Sequence, residues 1–285
     1  MSSVTLQGIQ FFNHPSSCIS HFEKAHWTKK ALSLIQSFGT LFIYFMNKIS
    51  LLWHKVEAQV TPHTKLPANL SKQTLVVCIH GLNNNPTQFK QTLDEMQKYD
   101  LSETAIYLPY VLQKGHAKLD DMAMPIFEEI KKWAQTSGEK KLVLVGISNG
   151  GRIARAIAAK LPELEHIKQL RFVSIVGACQ GSSLVNLAHK LHLSWLLSKN
   201  ISEEMAINSE RNIQLNQDWK NALESSPEIQ RDYTFIASPH DWQVPNYNST
   251  LMEVKGSTKY TIIPNHGHNS IVNTVAKAVA EIICA

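Results

Sequence analysis

Residues 142–152, LVLVGISNGGR, decide the fold of this 285-residue chain. An apolar run typical of a buried strand enters Gly146-Ile147-Ser148-Asn149-Gly150, and an alanine-rich helical pattern follows. This order predicts a strand, a sharp turn and a helix. A serine at such a turn sits on a strained backbone, and it needs a glycine on either side because side chains there would collide with the strand and the helix. We therefore expect the hydroxyl of Ser148 to project from the end of a sheet.

A serine hydroxyl becomes an effective nucleophile only when a neighbouring base takes its proton, so the rest of the chain must supply a histidine and a carboxylate. Asp241 follows a strand-like run at 233–237, in a loop marked by prolines. His266 and His268 follow a second strand-like run at 259–263. Spacing alone leaves both histidines open as the base.

The reaction also needs backbone N–H groups directed at the negative charge that develops on the substrate oxygen. One candidate is the N–H of Asn149, directly after the serine. The other is the N–H of Leu82, at the end of an apolar run that starts at Thr74. The sequence thus contains a candidate for each part of a serine-hydrolase site.

Together these residues resemble the α/β-hydrolase superfamily, in its lipase and esterase-like branch, over residues 71–285. The matching motifs are His80-Gly81 for the oxyanion strand, GISNGG at 146–151 for the nucleophile turn, SPHDWQVP at 238–245 for the acid loop and GHNSI at 267–271 for the histidine loop. The resemblance implies a triad of Ser148, Asp241 and His268, and it favours His268 over His266 as the base. It also implies hydrolysis without a cofactor.

Strand and helix patterns alternate along residues 71–285, which predicts an α/β fold with a mostly parallel, doubly wound sheet. The interval of about fifty residues before the strand at 233–237 is too long for an ordinary connection, so we expect a helical cap insertion at about 182–232. Many apolar residues lie within 184–197. They either line a pocket for an apolar substrate group or pack the cap onto the body of the domain.

Residues 1–70 do not match the hydrolase pattern and are predicted to form an amino-terminal helical extension. Residues 31–46 are uncharged but shorter than the roughly 20 residues of a membrane-spanning helix. An amphipathic helix near 31–55 explains the pattern better. Three locations remain open for this helix: it lies on a membrane surface, it packs over the hydrolase body, or it spans the membrane.

Composition excludes several classes of protein. The net charge of +5, from 28 basic and 23 acidic side chains without a long basic run, gives no support for nucleic-acid binding. The thirteen histidines have no metal-ligand spacing, so no metal site is expected. The four cysteines are widely spaced and favour a reduced compartment. We therefore expect a cytoplasmic protein, with peripheral membrane association if residues 31–55 bind lipid.

The predicted function is cofactor-independent hydrolysis of a carboxylic ester or thioester with an apolar acyl group. Its substrate would be a small-molecule ester, a thioester or a lipid, since the motifs do not distinguish them. Two alternatives remain open. In the first, the chain is a catalytically silent protein that binds a membrane or a protein partner. In the second, it is an acyltransferase in which an alcohol replaces water. The oligomeric state is not predicted.

Overall fold

The computed structural model describes residues 3–23, 71–241, 243–245 and 247–285. Its strands are β1 (Ser3–Leu6), β2 (Ile9–Phe12), β3 (Thr74–Ile79), β4 (Thr104–Tyr107), β5 (Lys140–Ile147), β6 (Ile167–Ile175), β7 (Gln230–Ala237) and β8 (Ser257–Ile262). They form one sheet in the order β1-β2-β8-β7-β6-β5-β3-β4. The pairs among β3 to β8 are parallel, whereas β1 pairs with β2, and β2 with β8, in the antiparallel direction.

Helices cover both faces of the sheet. They are α1 (residues 15–23), α2 (Lys90–Met96), α3 (Leu119–Ala134), α4 (Asn149–Ala158), α5 (Ser183–Lys190), α6 (Lys199–Glu204), α7 (Glu210–Ser225), α8 (Tyr247–Thr250) and α9 (Ser270–Cys284). Helices α3, α4 and α7 contribute to one apolar cluster, and α2 and α9 pack together in another. The predicted mostly parallel, doubly wound sheet is confirmed.

The two apolar clusters follow from the alternation of side chains along each strand. In β3, Leu75 and Val77 belong to the cluster with α3 and α4, while Val76 and Cys78 belong to the cluster with α2 and α9. Side chains two residues apart share a face of the sheet. A strand buried on both faces must therefore be apolar at every position, which explains the continuous apolar runs in the sequence.

The amino-terminal part contains two short strands that the sequence pattern does not predict. Strand β2 ends in Phe11 and Phe12, which are buried in different clusters on the two faces of the sheet. The pair Phe12 and Tyr260 joins β2 to β8. The predicted amphipathic helix near 31–55 lies outside the described residues. Within the described ranges, none of the helices is long and apolar enough to cross a bilayer.

Helices α5, α6 and α7 lie between β6 and β7, and we call residues 183–225 the cap. Buried Arg152, on α4, connects the cap to that helix. Its Nε donates to Asn212 Oδ1 at 2.8 Å, and its Nη2 donates to the backbone oxygen of Glu204 at 2.8 Å. Burial lowers the pKa of Arg152 to about 10. Because this value is still well above neutral pH, the guanidinium stays charged. A buried charge therefore holds α6 and α7 against α4.

Replacement of Arg152 by alanine is expected to destabilise the fold by about 3 to 5 kcal/mol, because it leaves two acceptors, Asn212 Oδ1 and Glu204 O, without their charged donor. The matched control is Lys220→Ala, which removes an exposed pair with Glu224 at 4.0 Å. That change should cost less than about 1 kcal/mol. Urea unfolding of both variants measures the difference. Equal destabilisation would show that the Arg152 contacts do not hold the cap.

Candidate active site

Ser148 lies at the sharp turn between β5 and α4 that the sequence predicts. Its backbone has φ 57° and ψ −124°, a conformation that non-glycine residues rarely adopt. Two hydrogen bonds hold the turn: the N–H of Ser148 donates to Ile175 O at 3.1 Å, and Ser148 O accepts from the N–H of Ala178 at 3.0 Å. The loop after β6 therefore supports the strained backbone.

Two glycines allow α4 to begin directly against the sheet. A Cβ on Gly150 would lie 2.0 Å from Ile79 O, and a Cβ on Gly146 would lie 2.5 Å from the backbone of Gly150. Both distances are far shorter than any normal contact between these atoms. The physical reason inferred from the sequence for glycine on either side of the serine thus holds in the structure.

Asp241 and His268 meet in the loops that follow β7 and β8. His268 Nδ1 lies 2.7 Å from Asp241 Oδ2, and both side chains are buried. The other carboxylate oxygen, Oδ1, accepts from the N–H groups of Gln243 and Val244, each at 2.9 Å. One oxygen of Asp241 therefore fixes its own loop, and the other orients the imidazole.

His266 lies beside a different partner. Its Nδ1 is 3.1 Å from Thr274 Oγ1 on α9, and its backbone oxygen accepts a hydrogen bond from Ser238 Oγ. The imidazole paired with Asp241 is that of His268. The choice between two histidines that spacing leaves open thus depends on how the loop turns into α9.

The loop after β3 lies against the serine. A Cβ on Gly81 would be 2.9 Å from Ser148 Cβ and 3.5 Å from Ser148 Oγ, so only glycine fits there without a shift. The N–H of Gly81 donates to Gln88 Oε1 at 3.0 Å. Gln88 is a supporting residue that sequence reasoning missed, because nothing in its local pattern indicates this contact.

His80 is a second supporting residue without an assigned role in the sequence analysis. Its buried ring accepts the N–H of Val111 at Nε2, 3.0 Å away, so Nδ1 carries the proton and donates to Gly81 O at 2.9 Å. Burial lowers the pKa of His80 and favours this neutral form. His80 thereby ties the loop after β3 to the loop after β4.

Leu82 and Asn149, the two predicted oxyanion residues, meet at Gly115. A Cβ on Gly115 would lie 3.2 Å from Leu82 Cα and 3.4 Å from Asn149 Nδ2. Asn149 Nδ2 donates to Gly115 O at 3.1 Å, whereas its buried Oδ1 has no hydrogen-bond partner. As the first residue of α4, Asn149 also has a backbone N–H outside the helix's own hydrogen bonds. The side chain of Asn149 thus positions the loop that contains Gly115.

That loop has an unusual backbone. Gln113, Lys114 and Gly115 have φ values of 50°, 53° and 92°, so three successive residues are left-handed. Such residues are costly without glycine and persist only where surrounding contacts fix them. The contacts here include Asn83 N–H to Lys114 O at 2.8 Å, in addition to those of His80 and Asn149. The loop is therefore held firmly beside Leu82.

A small apolar cluster joins the cap to this region. It consists of Ala178, Val185, Ile201, Met205 and Val244, with partly buried Leu82, Leu197 and Ala206 packed against it. The members come from the loops after β3, β6 and β7 and from the cap. They place an apolar surface next to Leu82.

A cleft of about 590 Å³ lies elsewhere, between α3, α4 and α7. It contains none of the five predicted site residues, and its wall includes the ion pair of Arg211 and Asp120 at 2.6 Å. Among the described residues, no group of His, Cys, Asp and Glu side chains is arranged to hold a metal ion.

Residues 69–218 match the protein family described as "Putative serine esterase (DUF676)". The match covers more than half of the chain. The chain belongs to this serine esterase family. Membership supports ester hydrolysis as the activity of this DUF676 chain. No curated protein matches its sequence.

Solved structures resemble this DUF676 chain in fold. Est1E from Butyrivibrio proteoclasticus, with ferulic acid bound, aligns at 15% identity and a TM-score of 0.50, covering 78% of this chain and 91% of that one. Together with the sheet topology, this likeness confirms the α/β-hydrolase fold. A monoacylglycerol lipase from Paleococcus ferrophilus aligns at 17% identity and a TM-score of 0.47, covering 78% and 97% of the two chains.

Substitution of Gly150 by alanine is expected to cost more than about 3 kcal/mol of unfolding free energy, because its methyl group would overlap Ile79 O. Gly267→Ala is the matched control, since a Cβ there meets nothing within 4 Å. It should change stability by less than about 1 kcal/mol. Urea unfolding compares the two variants, and a stable Gly150→Ala protein would contradict the close approach.

The lowered pKa of His80 predicts a loss of stability in acid. The ordinary value is 6.5, and burial lowers it in the folded protein. The folded protein has its full stability above pH 6.5, where the ring of His80 is neutral in both the folded and the unfolded state. This contribution to stability is lost as the pH falls through the pKa of His80 in the folded protein. His80→Gln should flatten the dependence of unfolding free energy on pH between about 7 and 5. An unchanged slope would show that His80 does not cause the loss of stability in acid.

Proposed function

We propose that this protein is a cofactor-independent serine hydrolase that cleaves carboxylic esters or thioesters with an apolar acyl group. The observation that carries the proposal is the 2.7 Å contact between His268 Nδ1 and Asp241 Oδ2, both buried. Ser148 occupies the strained turn after β5, as a nucleophile does in this fold. Membership of a serine esterase family gives independent support.

Asp241 sets the tautomer of the base. An ionised carboxylate accepts hydrogen bonds only, so it favours the proton on His268 Nδ1 and leaves Nε2 with a free lone pair. Nε2 then takes the proton from Ser148 Oγ as the serine attacks the substrate carbonyl. The two backbone N–H groups that bond Asp241 Oδ1 keep the carboxylate in place during this step.

The attack forms a bond between Ser148 Oγ and the carbonyl carbon and places a negative charge on the carbonyl oxygen. The N–H groups of Leu82 and Asn149 stabilise this charge, and the positive end of the α4 dipole adds to the effect. Collapse breaks the bond to the alcohol or thiol, which leaves with the proton held by His268. The product of this half-reaction is an acyl-Ser148 ester.

Water completes the reaction. His268 Nε2 takes a proton from a water molecule, whose oxygen attacks the acyl carbon, and the proton then returns to Ser148 Oγ as the carboxylic acid leaves. The apolar cluster beside Leu82 supports an apolar acyl group, since it offers a surface for methylene groups next to the reacting carbon. Small esters, thioesters and lipids all fit this chemistry.

Labelling with a fluorophosphonate tests the nucleophile. We expect wild-type protein to be labelled, and Ser148→Ala and His268→Ala to lose labelling, because the first lacks the attacking oxygen and the second lacks its base. His266→Ala is the matched control and should be labelled like wild type, since its ring contacts Thr274 instead of Asp241. Asp241→Asn should lower kcat by roughly 10⁴-fold toward p-nitrophenyl esters.

The outcomes separate the alternatives. Labelling that disappears in His266→Ala and persists in His268→Ala would contradict the assignment of the base. A folded wild type without labelling or esterase activity would favour the catalytically silent protein. Release of free acid without an added alcohol distinguishes hydrolysis from acyl transfer, and activity that rises with acyl chain length would support the apolar surface beside Leu82.

A further inference from the structure

The outer surface of the cap exposes large apolar side chains. Leu187, Leu191 and Trp195 are 43%, 55% and 68% exposed, and we call these three residues the cap patch. The other exposed large apolar side chains of the described residues are scattered along the chain: Val4, Tyr99 and Ile213. Single exposed apolar residues are common on proteins, but a cluster indicates a contact surface.

Helix α5 buries Val185 on one side and leaves Leu187 and Leu191 exposed on the other. Polar contacts near the surface attach it to the rest of the cap: Asn186 Oδ1 accepts the N–H of Ile207 at 2.7 Å, and His189 Nε2 lies 2.8 Å from Ser202 O. Leu187 and Leu191, one turn apart, share the outward face. These polar contacts fix the orientation of α5. The leucines are therefore held toward solvent by the fold.

Trp195 follows Leu191 by four residues, just beyond the end of α5. His192 has φ 54°, and the N–H of Leu193 donates to Ala188 O at 2.7 Å, which is the hydrogen bond of a Schellman cap. The chain then enters a short 3-10 turn at Ser194–Leu196. Trp195 is an amphipathic side chain of the kind that favours the boundary between water and lipid.

The chain segment that contains the cap patch has basic but no acidic residues. Residues 183–202 contain no Asp or Glu, but they contain Lys190, Lys199, His189 and His192. Glu203, just beyond this stretch, lies 3.9 Å from Lys199 as an exposed i,i+4 pair. The charge of Glu203 offsets that of Lys199, so Lys190 supplies the positive charge next to Leu191. Exposed leucine and tryptophan beside lysine complement an anionic lipid surface.

We propose that the cap patch docks this protein on anionic lipid bilayers and that its substrates are esters resident in them. The second part rests on the proposed ester hydrolysis. Val185 lies two positions before Leu187, on the opposite side of α5, and packs in the cluster with Leu82. The Oγ of Ser182, the residue that caps α5, donates to Gln243 O in the acid loop at 2.7 Å. One helix, about 10 Å across, therefore separates the lipid surface from the site.

Sedimentation of the full chain with vesicles tests the docking. We expect wild-type protein to bind vesicles with about 30% phosphatidylserine and to bind pure phosphatidylcholine more weakly. The double variant Leu191→Ser/Trp195→Ser should lower the partition coefficient about tenfold or more, because it removes the apolar contact. Ile213→Ser is the matched control, since Ile213 is 59% exposed on α7, and it should bind like wild type.

A second pair of variants tests the charge. Lys190→Glu should lower binding to anionic vesicles roughly tenfold, while Lys277→Glu, on exposed α9 surface, should leave it unchanged. Equal binding by the Leu191→Ser/Trp195→Ser protein would overturn the proposal and assign lipid binding to other residues, such as 31–55. Absence of wild-type binding would overturn it as well.

Two further readouts complete the test. Size-exclusion chromatography with light scattering would overturn lipid docking if wild type were a dimer that the double variant dissociates, since the patch would then be a subunit interface.

Hydrolysis of a short soluble ester is measured on the same preparations. Its absence in wild type contradicts the proposed reaction, whereas vesicle binding tests the docking alone. In the double variant, soluble-ester hydrolysis should stay within about twofold while hydrolysis of vesicle-borne esters falls with binding.

Discussion

The close approach of α4 to the sheet is the constraint on which the site depends. Gly150 passes so near Ile79 O that even a methyl group would overlap it. This approach forces Ser148 into a left-handed backbone, and the loop after β6 fixes that backbone through Ala178. The loop after β3 closes the arrangement, with Gly81 against the serine side chain. The position of Ser148 therefore results from the backbone packing of α4 against neighbouring parallel strands.

Polar side chains fix the loops around this turn. His80 and the side chain of Asn149 hold the left-handed loop at 113–115 from two directions. Asp241 uses one carboxylate oxygen for its own loop and the other for His268. A buried polar group is stabilising only when its partners are correctly placed, so each contact also specifies a single loop conformation. Such loops preserve an arrangement that isolated chain segments would not adopt.

The cap is organised by buried polar groups as well. Arg152 binds Asn212 and the backbone of Glu204, and Asn186 and His189 attach α5 to Ile207 and Ser202. Leu187, Leu191 and Trp195 remain exposed beside these contacts. Only Val185 among the apolar residues at 184–197 is buried. The sequence offered two alternatives for these residues: they line an acyl pocket, or they pack the cap onto the body of the domain. Neither alternative accounts for the exposed leucines.

The sequence by itself determined the α/β architecture and the turn at Ser148, because strand alternation, continuous apolar runs and glycine at a close approach are local features. Spacing left two histidines open although the family resemblance favoured one, and the tertiary structure pairs His268 with Asp241 and turns His266 to Thr274. It also decided the contact of Arg152 with Asn212 and the outward direction of the cap leucines. These outcomes depend on contacts between segments distant in the chain, and hydrophobic periodicity carries no information about which segment a side chain will meet.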